Sequence, residues 1–108
     1  MSFVPACGVD EVPEEGAKRC VINGRPVAVV RDADGAFHAI DDICSHDEIS
    51  LSEGEVDGCT IECWLHGSVF DLTTGAPLSP PAITPVAVFP VQQQGTDLLV
   101  DVDTTINN

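Results

Sequence analysis

Apolar residues recur along the chain in short stretches, several alternating with polar positions, and the stretches are separated by Gly, Pro, Asn or Asp. A period of two over four to seven residues is the pattern of a strand covered on one face. It predicts strands at residues 3–7, 17–22, 26–31, 36–41, 59–62, 68–71, 86–91 and 98–102. No helical period is sustained, so the predicted class is all-β with antiparallel pairing. Asn23-Gly24 suits a two-residue hairpin, residues 32–35 a four-residue turn, residues 73–75 a third, and residues 92–96 a polar connection. Only residues 9–15 suit a helical turn, with Asp10 as its cap. The tail from Thr104 is expected to fray. Without a repeat, linker or low-complexity tract, residues 1–108 read as a single domain.

Charge narrows the choice of partners. The formal net charge is −14, and nothing after Arg31 is Lys or Arg; Lys18, Arg19 and Arg25 complete the basic set. Such a chain repels phosphate backbones and anionic lipid, which argues against nucleic acid and membrane, and it steers diffusion toward a basic patch on another protein. Solubility alone also accounts for acidity of this kind. Its position adds something: Asp41, Asp42, Asp47, Glu48, Glu53, Glu55 and Glu62 crowd two short Cys/His runs. No stretch reaches the roughly twenty apolar residues of a membrane span. The first residues lack the basic start and apolar run of a secretory signal, and the five cysteines are an odd number. A soluble, cytoplasmic protein is expected.

The two runs are Cys44-Ser45-His46 and, after sixteen intervening residues, Cys63-Trp64-Leu65-His66-Gly67-Ser68. They offer two thiolates and two imidazoles in matching order. Tetrahedral zinc also accepts two cysteines and two histidines. Zinc sites, however, favour Cys-x-x-Cys pairs with histidines on a helix, whereas these mixed pairs fall between strands. The alternative is the ligand set of a Rieske 2Fe-2S centre, with one iron on sulfur and the other on nitrogen. Gly67 permits a sharp reversal, and the small Ser68 lets backbone amides approach the inorganic sulfurs. Residues 79–82, with Pro80 and Pro81, form a stiff loop that either covers such a site or simply connects strands. Trp64 would give either a flat apolar contact beside the site or packing within its loop.

Nearly the whole chain resembles the small Rieske ferredoxins of multicomponent aromatic-ring-hydroxylating dioxygenases. The resemblance is carried by Cys44-x-His46, Cys63-x-x-His66-Gly67-Ser68, Phe70-Asp71-x-x-Thr74-Gly75 and Pro80-Pro81. It implies a Rieske fold of three stacked antiparallel sheets with a cluster-binding subdomain made of two loops. It further implies one 2Fe-2S cluster with Cys44 and Cys63 on the inner iron and His46 and His66 on the outer, exposed one. The implied role is a monomeric electron carrier between an NAD(P)H-dependent flavoprotein reductase and a terminal oxygenase, with no catalytic residues of its own. Similar small proteins serve monooxygenases, nitrite reductases and iron-sulfur assembly. The respiratory and photosynthetic branch adds a cysteine to each loop; here those positions read Ile49 and Leu65, and its tyrosine reads Phe70. A reduction potential toward the lower end of the Rieske range of about −150 to +300 mV is therefore expected.

A terminal oxygenase would need a second iron site on two histidines and a carboxylate. Of the three histidines only His38 is left over, and its place in an alternating strand predicts a surface or partly buried structural role. No Gly-x-Gly-x-x-Gly fingerprint for nicotinamide or flavin is present. Cys7, Cys20 and Cys59 lie in or beside apolar strands and read as small hydrophobes.

Overall fold

The hairpin at Asn23-Gly24 organises the centre of the molecule. Both residues take positive φ, +53° and +81°, as a type I′ turn requires, and the full-length pairing of Ile22 with Arg25 through Gly16 with Arg31 follows. In the computed structural model, which describes residues 3–43, 50–64, 67–78 and 85–106, this hairpin is the heart of a four-stranded sheet.

The strands in chain order are β1 (Val4–Gly8), β2 (Gly16–Ile22), β3 (Arg25–Arg31), β4 (Phe37–Asp41), β5 (Glu55–Asp57), β6 (Thr60–Glu62), β7 (Val69–Asp71), β8 (Val88–Phe89), β9 (Val91–Gln94) and β10 (Asp97–Val100). They form three antiparallel sheets ordered β1-β10-β9, β2-β3-β4-β8 and β5-β6-β7. The expected all-β architecture is thus observed. Among the described residues there is no α-helix, and no helix is long and apolar enough to cross a membrane.

The central sheet is covered on both faces. Val27, Val29, Ala39 and Phe89 pack into one core with Leu98 and Val100 of β10. Ala28, Val30, Ile40 and Val88 pack into a second core with Ile61 of β6 and Phe70 of β7. This double burial explains why β3 reads Val-Ala-Val-Val without alternation: both sets of side chains leave water.

Four expectations are corrected. Residues 86–91 are two short strands, not one. Pro90, which has no N–H to give a ladder, separates β8 in the central sheet from β9 in the outer one. Residues 92–94 are strand, and the turn shrinks to Gly95-Thr96, with Gly95 at φ +63°. The helical turn is a single 3-10 turn, Val9–Glu11; the backbone N–H of Gly8 donates to the Glu11 carboxylate at 2.7 Å, so Asp10 is not the cap. The tail is tied down as far as Ile106, whose N–H donates to the Val88 carbonyl at 2.7 Å and covers the open edge of the central sheet.

Candidate metal centre

Three connections leave the β5-β6-β7 side of the molecule, and each has firmly held roots. The first runs from the end of β4 to a 3-10 turn at Leu51–Glu53. Ile43 pairs with Ser50 across its base. Asp42, fully buried, organises that base: one carboxylate oxygen accepts from Arg19 Nε at 3.0 Å, the other from the Ser52 N–H at 2.9 Å, and its carbonyl accepts from the Leu51 N–H. Neighbouring Asp41 is paired with Arg25 at 3.2 Å. Cys44, His46, Asp47, Glu48 and Ile49 lie outside the described residues.

The second connection joins β6 to β7. Cys63 is fully buried; its N–H donates to the Ser68 carbonyl at 2.7 Å, and its own carbonyl accepts from the Gly67 N–H at 2.9 Å. Gly67 takes φ +74°, the reversal expected of it, and Ser68 is buried directly after it. Trp64 is 53 % exposed, which favours the outward contact over packing within the loop. Leu65 and His66 lie outside the described residues. So do residues 79–84 of the third connection, with Pro80 and Pro81. Its roots are the Leu78 N–H on the Val69 carbonyl at 2.6 Å and the Val86 N–H on the Gly75 carbonyl at 3.0 Å.

Of the four predicted ligands the structure places Cys63. The segments that hold Cys44, His46 and His66 are bracketed by roots in the same core, since Leu51 and Cys63 both belong to it. One residue that matters here was missed in the sequence. A Cβ on Gly54 would stand 1.7 Å from the Glu62 carbonyl oxygen, so the exit of the first connection presses against the entry of the second at a spacing only glycine allows.

The acidic crowd divides in two. Asp41 and Asp42 are neutralised by arginines and serve as structure, whereas Glu53, Glu55 and Glu62 are exposed. Glu55 and Glu62 stand directly opposite each other on β5 and β6, an arrangement that costs stability unless a cation or basic partner relieves it. Away from this end, Asp71 caps the β7 turn by accepting from the Thr73 hydroxyl and from the Thr73 and Thr74 N–H groups. These bonds, the hydroxyl's first, hold its carboxyl below the usual 3.8. Cys20 is buried as expected, and burial together with neighbouring Cys20 pushes the Cys7 thiol up to about 12.

A protein-family model for the Rieske [2Fe-2S] domain matches residues 2–90. The chain belongs to the Rieske [2Fe-2S] family. Within it, the chain is 44 % identical over 102 residues to the biphenyl dioxygenase ferredoxin subunit of Pseudomonas sp. strain KKS102, covering 94 % of this chain and 93 % of that one. It is 42 % identical over 102 residues to the 3-phenylpropionate/cinnamic acid dioxygenase ferredoxin subunit of Escherichia coli K12, covering 94 % of each. Among solved structures it superimposes on a chain from the complex of reduced oxygenase and oxidized ferredoxin in carbazole 1,9a-dioxygenase, with a TM-score of 0.83, 36 % identity and 91 % of each chain covered. This Rieske domain is accordingly of the small ferredoxin type found in ring-hydroxylating dioxygenase systems, and its cofactor is a 2Fe-2S cluster. The one expected donor among the described residues suits that group: Cys63 is a thiol sealed from water at the end of β6, with backbone beside it held in the tight reversal at Gly67.

Proposed function

We propose that Cys44 and Cys63 hold the inner iron and His46 and His66 the outer iron of the cluster. In this reading the chain, acting as one domain over residues 1–108, carries single electrons from an NAD(P)H-dependent flavoprotein reductase to the Rieske centre of a terminal ring-hydroxylating oxygenase in the cytoplasm. The observation that supports it most is Cys63, fully buried and pinned by backbone bonds to Ser68 and Gly67 where the family motif sets a ligand. When bound, the cluster supplies a one-electron couple whose potential is raised by its imidazole ligands. The protein's own residues do the rest. Asp42 ties the root of the first loop to β2, Gly54 sets that loop against the entry of the second, Ser68 closes the second loop, and Trp64 offers an exposed flat surface beside the site. Glu53, Glu55 and Glu62 present negative charge that suits brief, salt-sensitive docking to a basic face.

The test is electron paramagnetic resonance of the dithionite-reduced protein, followed by reconstitution with a flavin reductase and ring-hydroxylating oxygenases. A signal of lower average g than an all-cysteine cluster gives, together with ferredoxin-dependent turnover of an aromatic substrate, is the expected result. An all-cysteine signal would refute the ligand assignment. Turnover unaffected by this protein in every pairing would refute the role.

A further inference from the structure

Far from the cluster loops, the structure gathers three side chains that the electron-transfer role does not use. The His38 Nε2 lies 2.8 Å from an Asp32 carboxylate oxygen and 3.8 Å from the Cys59 Sγ, and the three ligand atoms all fall within 4.8 Å of one another. Asp32 and the His38 side chain are only 7 % and 14 % exposed, so this is not a chance gathering of surface acids. Asp32 belongs to the β3–β4 turn and Cys59 to the β5–β6 turn, and the two turns are joined by the Ala33 N–H on the Gly58 carbonyl at 3.0 Å. Cys59 is four residues before Cys63 along β6, which places the group roughly 13 Å from the cluster end at about 3.3 Å per strand residue.

We propose that Asp32, His38 and Cys59 form a binding site for a divalent cation of the zinc class, separate from the iron-sulfur centre. The same imidazole nitrogen faces both the carboxylate and the thiol. A thiol–imidazole–carboxylate relay would need them on opposite nitrogens, whereas convergence on one point is what a metal ion requires. Tetrahedral zinc bonds of about 2.0–2.3 Å set ligand separations near ~3.3 Å for N and O and ~3.6 Å for N and S. The two distances from the imidazole, 2.8 Å to the carboxylate and 3.8 Å to the thiol, depart from those by about half an ångström or less, and the carboxylate and thiol, within 4.8 Å of each other, close further on the ion.

The second oxygen of Asp32 is already oriented, accepting from the Asp34 N–H at 2.9 Å and the Ala36 N–H at 3.0 Å, as ligating carboxylates commonly are. Charge also balances, because a carboxylate, a thiolate and a neutral imidazole together neutralise a dication. On binding, the Cys59 proton leaves to solvent and the imidazole carries its proton on Nδ1, so Nε2 is free to donate its lone pair. His38 also lines an open cleft of about 360 Å³, so one member of the group borders solvent-filled space. An ion here would staple the β3–β4 turn of the central sheet to the β5–β6 hairpin of the cluster-bearing sheet.

The experiment exposes oxidised holoprotein to zinc, removes loosely held ion by gel filtration, and measures zinc against iron by mass spectrometry. Wild type and a Cys7→Ser control are expected to retain about one zinc per two irons with an unchanged visible spectrum. Cys59→Ser and Asp32→Asn should each lose at least tenfold of that retention. Cadmium NMR of the wild type gives a second reading that needs no variant: one bound resonance shifted by a single sulfur ligand. Equal retention in Cys59→Ser, bleaching of the visible spectrum as zinc enters, or wild type holding less than a tenth of an equivalent would each overturn the proposal.

Discussion

The two cores on either side of the central sheet are held by different means. Toward β1, β9 and β10, side chains such as Phe89, Leu98 and Val100 interdigitate beneath a sheet whose last two strands are joined by the two-residue turn Gly95-Thr96. Toward β5, β6 and β7 the apolar side chains are as deeply buried, but each strand is only three residues long. Strands that short supply few ladder bonds, so this side depends on individual ties: Asp42 to Arg19 and Ser52, the glycine contact at Gly54, the backbone pinning of Cys63 and, in the proposed ligation, the cluster. One side is a scaffold that packing alone can hold. The other, if the proposed ligation holds, is a side that folding and metal binding complete together.

The sharpest test of that contrast is Cys63→Ala. The expected product is colourless and has lost protection from hydrogen exchange at Ile61 and Phe70, while amides of β10 keep theirs. A brown, fully protected protein would show that Cys63 holds no iron. Leu98→Ala is the matching lesion on the scaffold side. It should cost about 2–5 kcal/mol by large-to-small truncation in a dry core. The folded fraction should nevertheless keep the wild-type visible spectrum. Loss of the cluster at temperatures where β10 is still protected would mean the two sides are not separable.

The sequence disclosed the scaffold and the site's chemistry far better than the loops' architecture. Asn23-Gly24 announces its hairpin because only that turn type wants two positive φ values in a row. Gly67 and Ser68 were legible because a tight reversal and a close approach each demand a particular residue, and Cys63 stood out as a proposed iron ligand whose burial the structure shows. β5 was missed because Glu55-Val56-Asp57 has one apolar residue between two acids, and its strand character comes from pairing with β6. Pro90 and the Val91–Gln94 strand were misread because a switch between sheets leaves no trace in periodicity, and three glutamines on an outer edge look like loop. Gly54 was passed over because its reason is a carbonyl eight positions away in the chain. The trio of Asp32, His38 and Cys59 was invisible for the same cause, being assembled from two turns and a strand that only the layering of sheets brings together.

Asp42→Ala probes the ties of the cluster side without touching a predicted ligand. Its loss leaves the Ser52 N–H without its acceptor and releases Arg19, which is half exposed and can return to water. The expected cost is about 1–2 kcal/mol, set by the stranded, partly buried donor more than by the ion pair. Because the root of the first loop would loosen, cluster loss during mild heating should accelerate more than global unfolding does. Parallel traces of visible absorbance and far-UV circular dichroism would read this, and traces that shift together would place Asp42 in the common core instead.

The smallest expected effect on stability belongs to Glu62→Gln, and it separates docking from folding. Glu62 opposes Glu55 across β5 and β6 and is exposed beside Cys63, so removing its charge relieves a like-charge pair and should stabilise the protein by about 0.3 kcal/mol. A side chain kept only for structure would then be improved by the change. If the acidic end meets a basic partner, the same variant should slow reduction by a flavoprotein reductase at low salt, with a shallower dependence on ionic strength and little difference at high salt, because screening over about 10 Å at 0.1 M removes the long-range term. A melting curve and stopped-flow reduction at two salt concentrations read both quantities. A more stable variant that is reduced at the wild-type rate at low salt would show that the opposed glutamates do not steer the partner, leaving the flat surface of Trp64 to account for docking.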